Sequence, residues 1–134
     1  SLNNACWQYI EMKEYKTASK EFAKAIKIQK KYISQNDDMK MLLNRIYALT
    51  INNYAWSMHL SNKSKKSVKY FNRAILILDD DKSEIAIKRL ALINNNLSKV
   101  YEKLGNNMLF DEYRNKTKGF IIPNTGEVED YFIY

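Results

Sequence analysis

From Met39 to Met58 the apolar side chains Met39, Leu42, Leu43, Ile46, Tyr47, Leu49, Tyr54 and Met58 recur mainly at spacings of three, four and seven residues. That spacing gathers them on one face of a helix of five or six turns, and predicts a helix over 38–61. The same kind of periodicity predicts helices over 2–13, 15–34, 64–79, 83–104 and 107–118. Turn and cap residues fall between them: Asn36-Asp37-Asp38, Ser61-Asn62, Asp81 standing three before Glu84 as a capping box, and Gly105 as a helix stop. Beyond residue 118 the character changes. "PNTG" is a turn signal between two aromatic, β-rich runs, so residues 119–134 are expected to form an extended or hairpin tail, a strap over the last helices, or the entry to a further domain.

Two adjacent asparagines inside the longest predicted helix need a reason, because asparagine competes for backbone groups and is a mediocre helix former. The stretch "INNYAW" at 51–56 has relatives in "LNNACW" at 2–7 and "INNNLSKVY" at 93–101. Aligning Asn3/Asn4, Asn52/Asn53 and Asn95/Asn96 gives steps of 49 and 43 residues. In the first two copies a small residue, an aromatic four later and an alanine three after that follow, as Ala18/Phe22/Ala25 and Ser67/Phe71/Ala74. Such a face lets a neighbouring helix approach closely around a ring, which is the chemistry of a helical hairpin.

On these residues the chain resembles the tetratricopeptide repeat family over roughly 2–118. That family places an Ala and then a Phe four later on the second helix of each pair, with a Tyr late in the first. Tyr9, Tyr15, Ala18, Phe22 and Ala25 fit in the first copy. The second has Met58 in place of the tyrosine and Ser67 in place of the alanine. The third keeps Leu97, Tyr101, Leu104 and Gly105 but carries Phe110, Arg114 and Thr117 at the Ala/Phe/Ala positions. The period exceeds the usual ~34 residues, the extra length lying in the helices. Lengthened repeats with an Asn-Asn pair are similar to those of kinesin light chain and of Rap-type peptide-sensing regulators. The resemblance implies an all-α fold: a right-handed superhelical array of about three antiparallel hairpins over 1–118, with 119–134 as an aromatic, acidic tail.

Composition narrows the function classes. Scarce Gly (3) and Pro (1) suit an all-helical domain, and no run of apolar residues is long enough to span a membrane. With no signal-peptide pattern at the start, a cytoplasmic location is expected. One cysteine, Cys6, and one histidine, His59, exclude a disulfide framework and a thiolate-rich metal site. No nucleotide-binding, zinc-protease or nucleophile-elbow motif occurs, so the expectation is a non-catalytic protein without cofactor or metal. The formal charge of +7 comes chiefly from lysine, whereas base-edge and bidentate phosphate reading favours arginine, which argues against specific nucleic-acid recognition. Lys16, Lys20, Lys24, Lys27 and Lys31, with Lys65, Lys66, Lys69 and Arg73, lie mostly opposite Phe22 and Phe71 and are expected on solvated outer faces.

In the repeat family the first helices line a concave surface. The resemblance therefore implies a groove presenting Asn3, Trp7, Asn52, Trp56, His59, Asn95 and Lys99 to a peptide or partner segment. Asparagine amides offer donor and acceptor to an extended backbone, the tryptophans offer apolar area, and Lys99 suits an acidic group. Trp7 and Trp56 suit the core equally well, and the second asparagines, Asn4, Asn53 and Asn96, suit bonds to backbone carbonyls between repeats. The alternatives are a self-associating repeat segment, forming homo-oligomers through exposed repeat ends, and an electrostatic binder of nucleic acid or acidic partners through the lysine-rich outer helices.

Overall fold

The computed structural model describes residues 2–120; the expectations for a hairpin or strap at 121–134 lie outside the described residues. Six helices follow in order: α1 (Leu2–Glu11), α2 (Tyr15–Ser34), α3 (Lys40–Leu60), α4 (Ser64–Leu78), α5 (Glu84–Lys103) and α6 (Asn107–Asn115), with a 3-10 turn at Asp37–Met39 leading into α3. The described residues are all helix and turn.

Each odd-numbered helix ends in the same way. Lys13, Asn62 and Gly105 have positive φ (60, 65 and 78°). Their amides bond the carbonyls of Ile10, His59 and Glu102, while Glu14, Lys63 and Asn106 bond those of Tyr9, Met58 and Tyr101. This double bond pattern around a left-handed residue closes the helix and reverses the chain. It stops α1 two residues before the expected end, because Lys13 has left the helical region. The closure recurs at equivalent places in all three copies and makes three hairpins, α1/α2, α3/α4 and α5/α6.

Consecutive helices pack together, α1 touches α3, and α3 touches α5, whereas α2, α4 and α6 make no contact with one another. The odd helices therefore form one layer and the even helices a second. Phe22 and Phe71 are completely buried beside Ala18, Ala25, Ser67 and Ala74. Burying each ring contributes about 1.5–3 kcal/mol, and the small neighbours are what let the next helix reach it. Cys6, Trp7, Ile51, Ala55, Trp56, Leu92 and Leu97 join the same core.

Helix α3 differs from the one-faced helix its stripe predicts. From Tyr47 to His59 every residue except Tyr54 is buried, since α1, α2, α4 and α5 all pack on it. At its start Met41 and Leu42, and Met39 in the preceding turn, are instead 57%, 52% and 40% exposed. Asp81 also departs from its expected part. Ser83 caps α5, its Oγ accepting from the Ala86 amide at 3.2 Å. Asp81 takes the Arg45 guanidinium, whose two N–H groups give a carboxylate more than one capping amide does. The outer lysines, from Lys16 to Lys31 and from Lys65 to Arg73, are all exposed.

Candidate functional site

The paired asparagines form a buried ladder across the layer of odd-numbered helices. Asn53 Nδ2 donates to Asn3 Oδ1 at 3.3 Å, and Asn96 Nδ2 donates to Asn52 Oδ1 at 3.1 Å. In both joints the second asparagine of one copy donates to the first asparagine of the copy before. Asn52 Nδ2 links the two rungs by donating to Asn53 Oδ1 at 3.1 Å, and Asn3 Nδ2 donates to Thr50 Oγ1 at 2.9 Å. Thr50 in turn donates to the Ile46 carbonyl. Asn53 and Asn96 thus donate to side-chain amides rather than to the backbone carbonyls expected of them.

This placement corrects the part expected of the first asparagines. Asn52 is wholly buried with both amide atoms bonded inside the protein, so it has nothing to offer a guest. Asn3 is buried with both its amide atoms engaged, and Asn95 is buried as well. Trp7 lies in the hydrophobic core. Of the residues expected in a groove, three come together toward the ends of α3 and α5: Trp56, His59 and Lys99.

That corner is built from three elements. Trp56 and His59, one turn apart on α3, hold their rings 4.9 Å apart, and each is 8% exposed. His59 Nδ1 bonds Ser64 Oγ at the start of α4 at 2.8 Å. From α5, Lys99 Nζ stands 5.9 Å from the Trp56 ring centre, and Lys103, one turn on, donates to Asn62 Oδ1 in the α3–α4 turn at 3.3 Å. Burial, and then the Lys103 and Lys99 charges, push His59 down from 6.5 to about 4. Burial, and then Arg114 on α6, pull Lys99 below its ordinary value against a smaller opposing effect from Glu102. The corner is a partly desolvated cationic site walled by an indole. Lys103 was legible as a helix-face neighbour four residues after Lys99; Asn62 and Arg114 join only through the tertiary fold.

A second feature lies toward the start of α3 and α5, where Leu42, Arg45, Ile46, Ile85 and Arg89 line an open, mainly apolar pocket of about 310 Å³. Arg45 Nε meets Asp81 Oδ2 at 2.6 Å and Nη2 meets Oδ1 at 3.2 Å. This hydrogen bond, above all, holds the Asp81 carboxyl at about 2, below the usual carboxylate range. Arg89 is buried and donates from Nη1 to the Arg45 carbonyl at 2.8 Å, tying α5 to α3. Among the described residues no three His, Cys, Asp or Glu side chains are grouped to hold a metal ion, and no helix is long and apolar enough to cross a membrane.

Comparison with protein-family models, curated proteins and solved structures finds no match in any of the three.

Proposed function

We propose that this chain is a non-catalytic interaction module of the tetratricopeptide kind, the scaffold or sensor part of a larger regulator, binding a peptide or partner segment along its inner layer. The observation that carries this reading is the convergence of Trp56, His59 and Lys99 from two successive inner helices. An aromatic wall beside cations combines apolar area with directional polar contact, as anchor points of interfaces do. The resemblance in sequence and the two-layer packing of hairpins support the same class, while the partner is a matter of the site and not of the fold. Affinity capture from a cell lysate with the full chain, followed by cross-link mapping, tests it. Cross-links to α3 and α5 support the reading. Cross-links confined to the lysines of α2 and α4, with capture lost in high salt, replace it with electrostatic attachment to the outer layer.

The exposed Met39, Met41 and Leu42, on the stretch that leads into the apolar pocket, favour a second reading in which copies of the chain associate. Sedimentation of the wild type beside Met41→Glu/Leu42→Glu decides it: a dimer dissociated by the substitutions supports association, and a wild-type monomer at all concentrations removes it.

A further inference from the structure

Helices α2 and α3 run past the start of α1. Asn3, in the first turn of α1, bonds Thr50 and Asn53, so the stretch of α3 from Lys40 to Leu49, ~15 Å of helix, lies beyond it. One face of α2 looks toward the line of α1: Glu21, whose charge acts on Cys6, is followed at spacings of four, three and four by Ala25, Ile28 and Tyr32. Ala25 is buried, but Ile28 and Tyr32, past the start of α1, are 64% and 51% exposed. On α3 the face that carries Thr50 toward α1 continues back through Ile46 and Leu43, which are half-buried, to the exposed Met39 in the preceding turn. These residues of α2 and α3 border one apolar strip in line with α1.

The second copy shows what such a strip holds. Ala25 aligns with Ala74, so Ile28, Gln29 and Tyr32 align with Ile77, Leu78 and Asp81. There Ile77 is half-buried, Leu78 is completely buried, and Asp81 is buried against Arg45 of α3. The cover at these positions is the first half of α3, and among the described residues no helix takes that place over α2. Gln29, which stands where the second copy has Leu78, has its Oε1 enclosed and without a hydrogen-bond partner. A buried acceptor in that state favours whatever brings it a donor.

We propose that the strip lined by Ile28, Gln29, Tyr32, Met39 and Leu43 is a docking site for an amphipathic helix of a partner chain, about three turns long and lying end to end with α1. Apolar residues at three- and four-residue spacing on that helix cover Ile28 and Tyr32, and a side-chain N–H or O–H meets Gln29 Oε1. A helix rather than an extended segment follows from the second copy, where a helix fills the equivalent place. The docked helix continues the interface that α1 already makes with α2 and α3. This site lies at the opposite end of α3 from Trp56 and His59, so it stands or falls apart from the reading above.

The test is NMR titration of the full chain, labelled with 15N, with a capped peptide copying residues 40–51, the segment that fills the equivalent place one copy later. A peptide of the same composition in scrambled order is the control. The expected result is saturable shifts at Ile28, Tyr32, Met39 and the Gln29 side-chain amide with the first peptide alone. Ile28→Glu and Tyr32→Glu, both at exposed positions, are each expected to weaken binding by about tenfold or more while leaving the rest of the spectrum in place. Equal binding of the scrambled peptide overturns the inference, as do shifts centred on Trp56, His59 and Lys99 or the absence of shifts in the strip at about 1 mM peptide. Concentration-dependent shifts at the same residues without any peptide make a second copy the occupant and overturn the choice of a partner helix.

Discussion

Asn96 donates a hydrogen bond to Asn52 across the joint between α5 and α3, at 3.1 Å and shut away from solvent. Both residues sit inside helices, where asparagine is unfavourable, so the joint must return more than the helix loses. A buried amide left without its partner costs about 1–3 kcal/mol, which is larger than the propensity penalty of about half a kcal/mol.

Asn52→Ala is therefore expected to lower stability by about 1–3 kcal/mol in a urea titration, by stranding the Asn96 and Asn53 amides. Asn52→Ala/Asn96→Ala is expected to cost less than the sum of the single substitutions, because the second removes a group the first has already orphaned. Strict additivity would refute coupling through the ladder.

Asp81 provides an acid-range signature. Its carboxyl is held at about 2 in the fold against an ordinary 3.8, so the bond to Arg45 contributes fully above pH ~4 and is lost as pH falls toward 2. The contribution is about 2 kcal/mol. Asp81→Asn is expected to destabilise by that order at neutral pH and to flatten the stability profile between pH 4 and 2, read from denaturant midpoints.

His59 works over a higher window. Its folded value near 4 lies below the ordinary 6.5, so the fold holds the neutral ring. Stability is complete above pH ~6.5 and declines as pH drops toward 4, by an amount on the order of 3 kcal/mol. His59→Gln is expected to remove the slope between those values, and NMR of the single imidazole should place its midpoint well below pH 6.

The Cys6 thiol is buried, and burial followed by the Glu21 charge raises its pKa. Alkylation of the native protein at neutral pH is expected to be slower than that of a free thiol by about tenfold or more. Reaction should be complete in guanidinium chloride. Fast native labelling would show that α1 opens readily from α2.

Phe71→Ala is expected to cost about 3–5 kcal/mol, since the ring is completely buried in the core. Leu76→Ala, on the exposed side of the same helix, is expected to stay within about 0.5 kcal/mol. A comparable loss at both positions in thermal unfolding would contradict the placement of α4.

Helix positions were legible because a stripe of apolar residues at three- and four-residue spacing reports a buried face whatever its neighbours are. The paired asparagines were legible as repeat marks, but their use was not. One residue turns a helix by about a quarter of a circle, so Asn52 and Asn53 point differently, and which of them meets the next helix depends on packing. The result was that Asn3 and Asn52, expected to greet a guest, accept from the following copy instead. Gly105 announced its turn by composition, whereas Lys13 adopts the same left-handed geometry with no sequence signal. Asp81 could not be told from a helix cap because its partner, Arg45, lies 36 positions away. Of the seven residues grouped by the resemblance, Trp56, His59 and Lys99 lie close together, and Lys103, one turn after Lys99, was overlooked.

The rule that the second asparagine of one copy donates to the first of the copy before gives each joint a direction. A contact that joins unlike groups in this way is head-to-tail: it repeats by translation and rotation and does not pair with itself. Two hairpins placed face to face in mirrored order would set second asparagine against second asparagine, which is not the pairing that either joint uses. The same rule carries no built-in stop. The number of hairpins such a stack contains is decided by what each end presents, and not by the joint that holds it together.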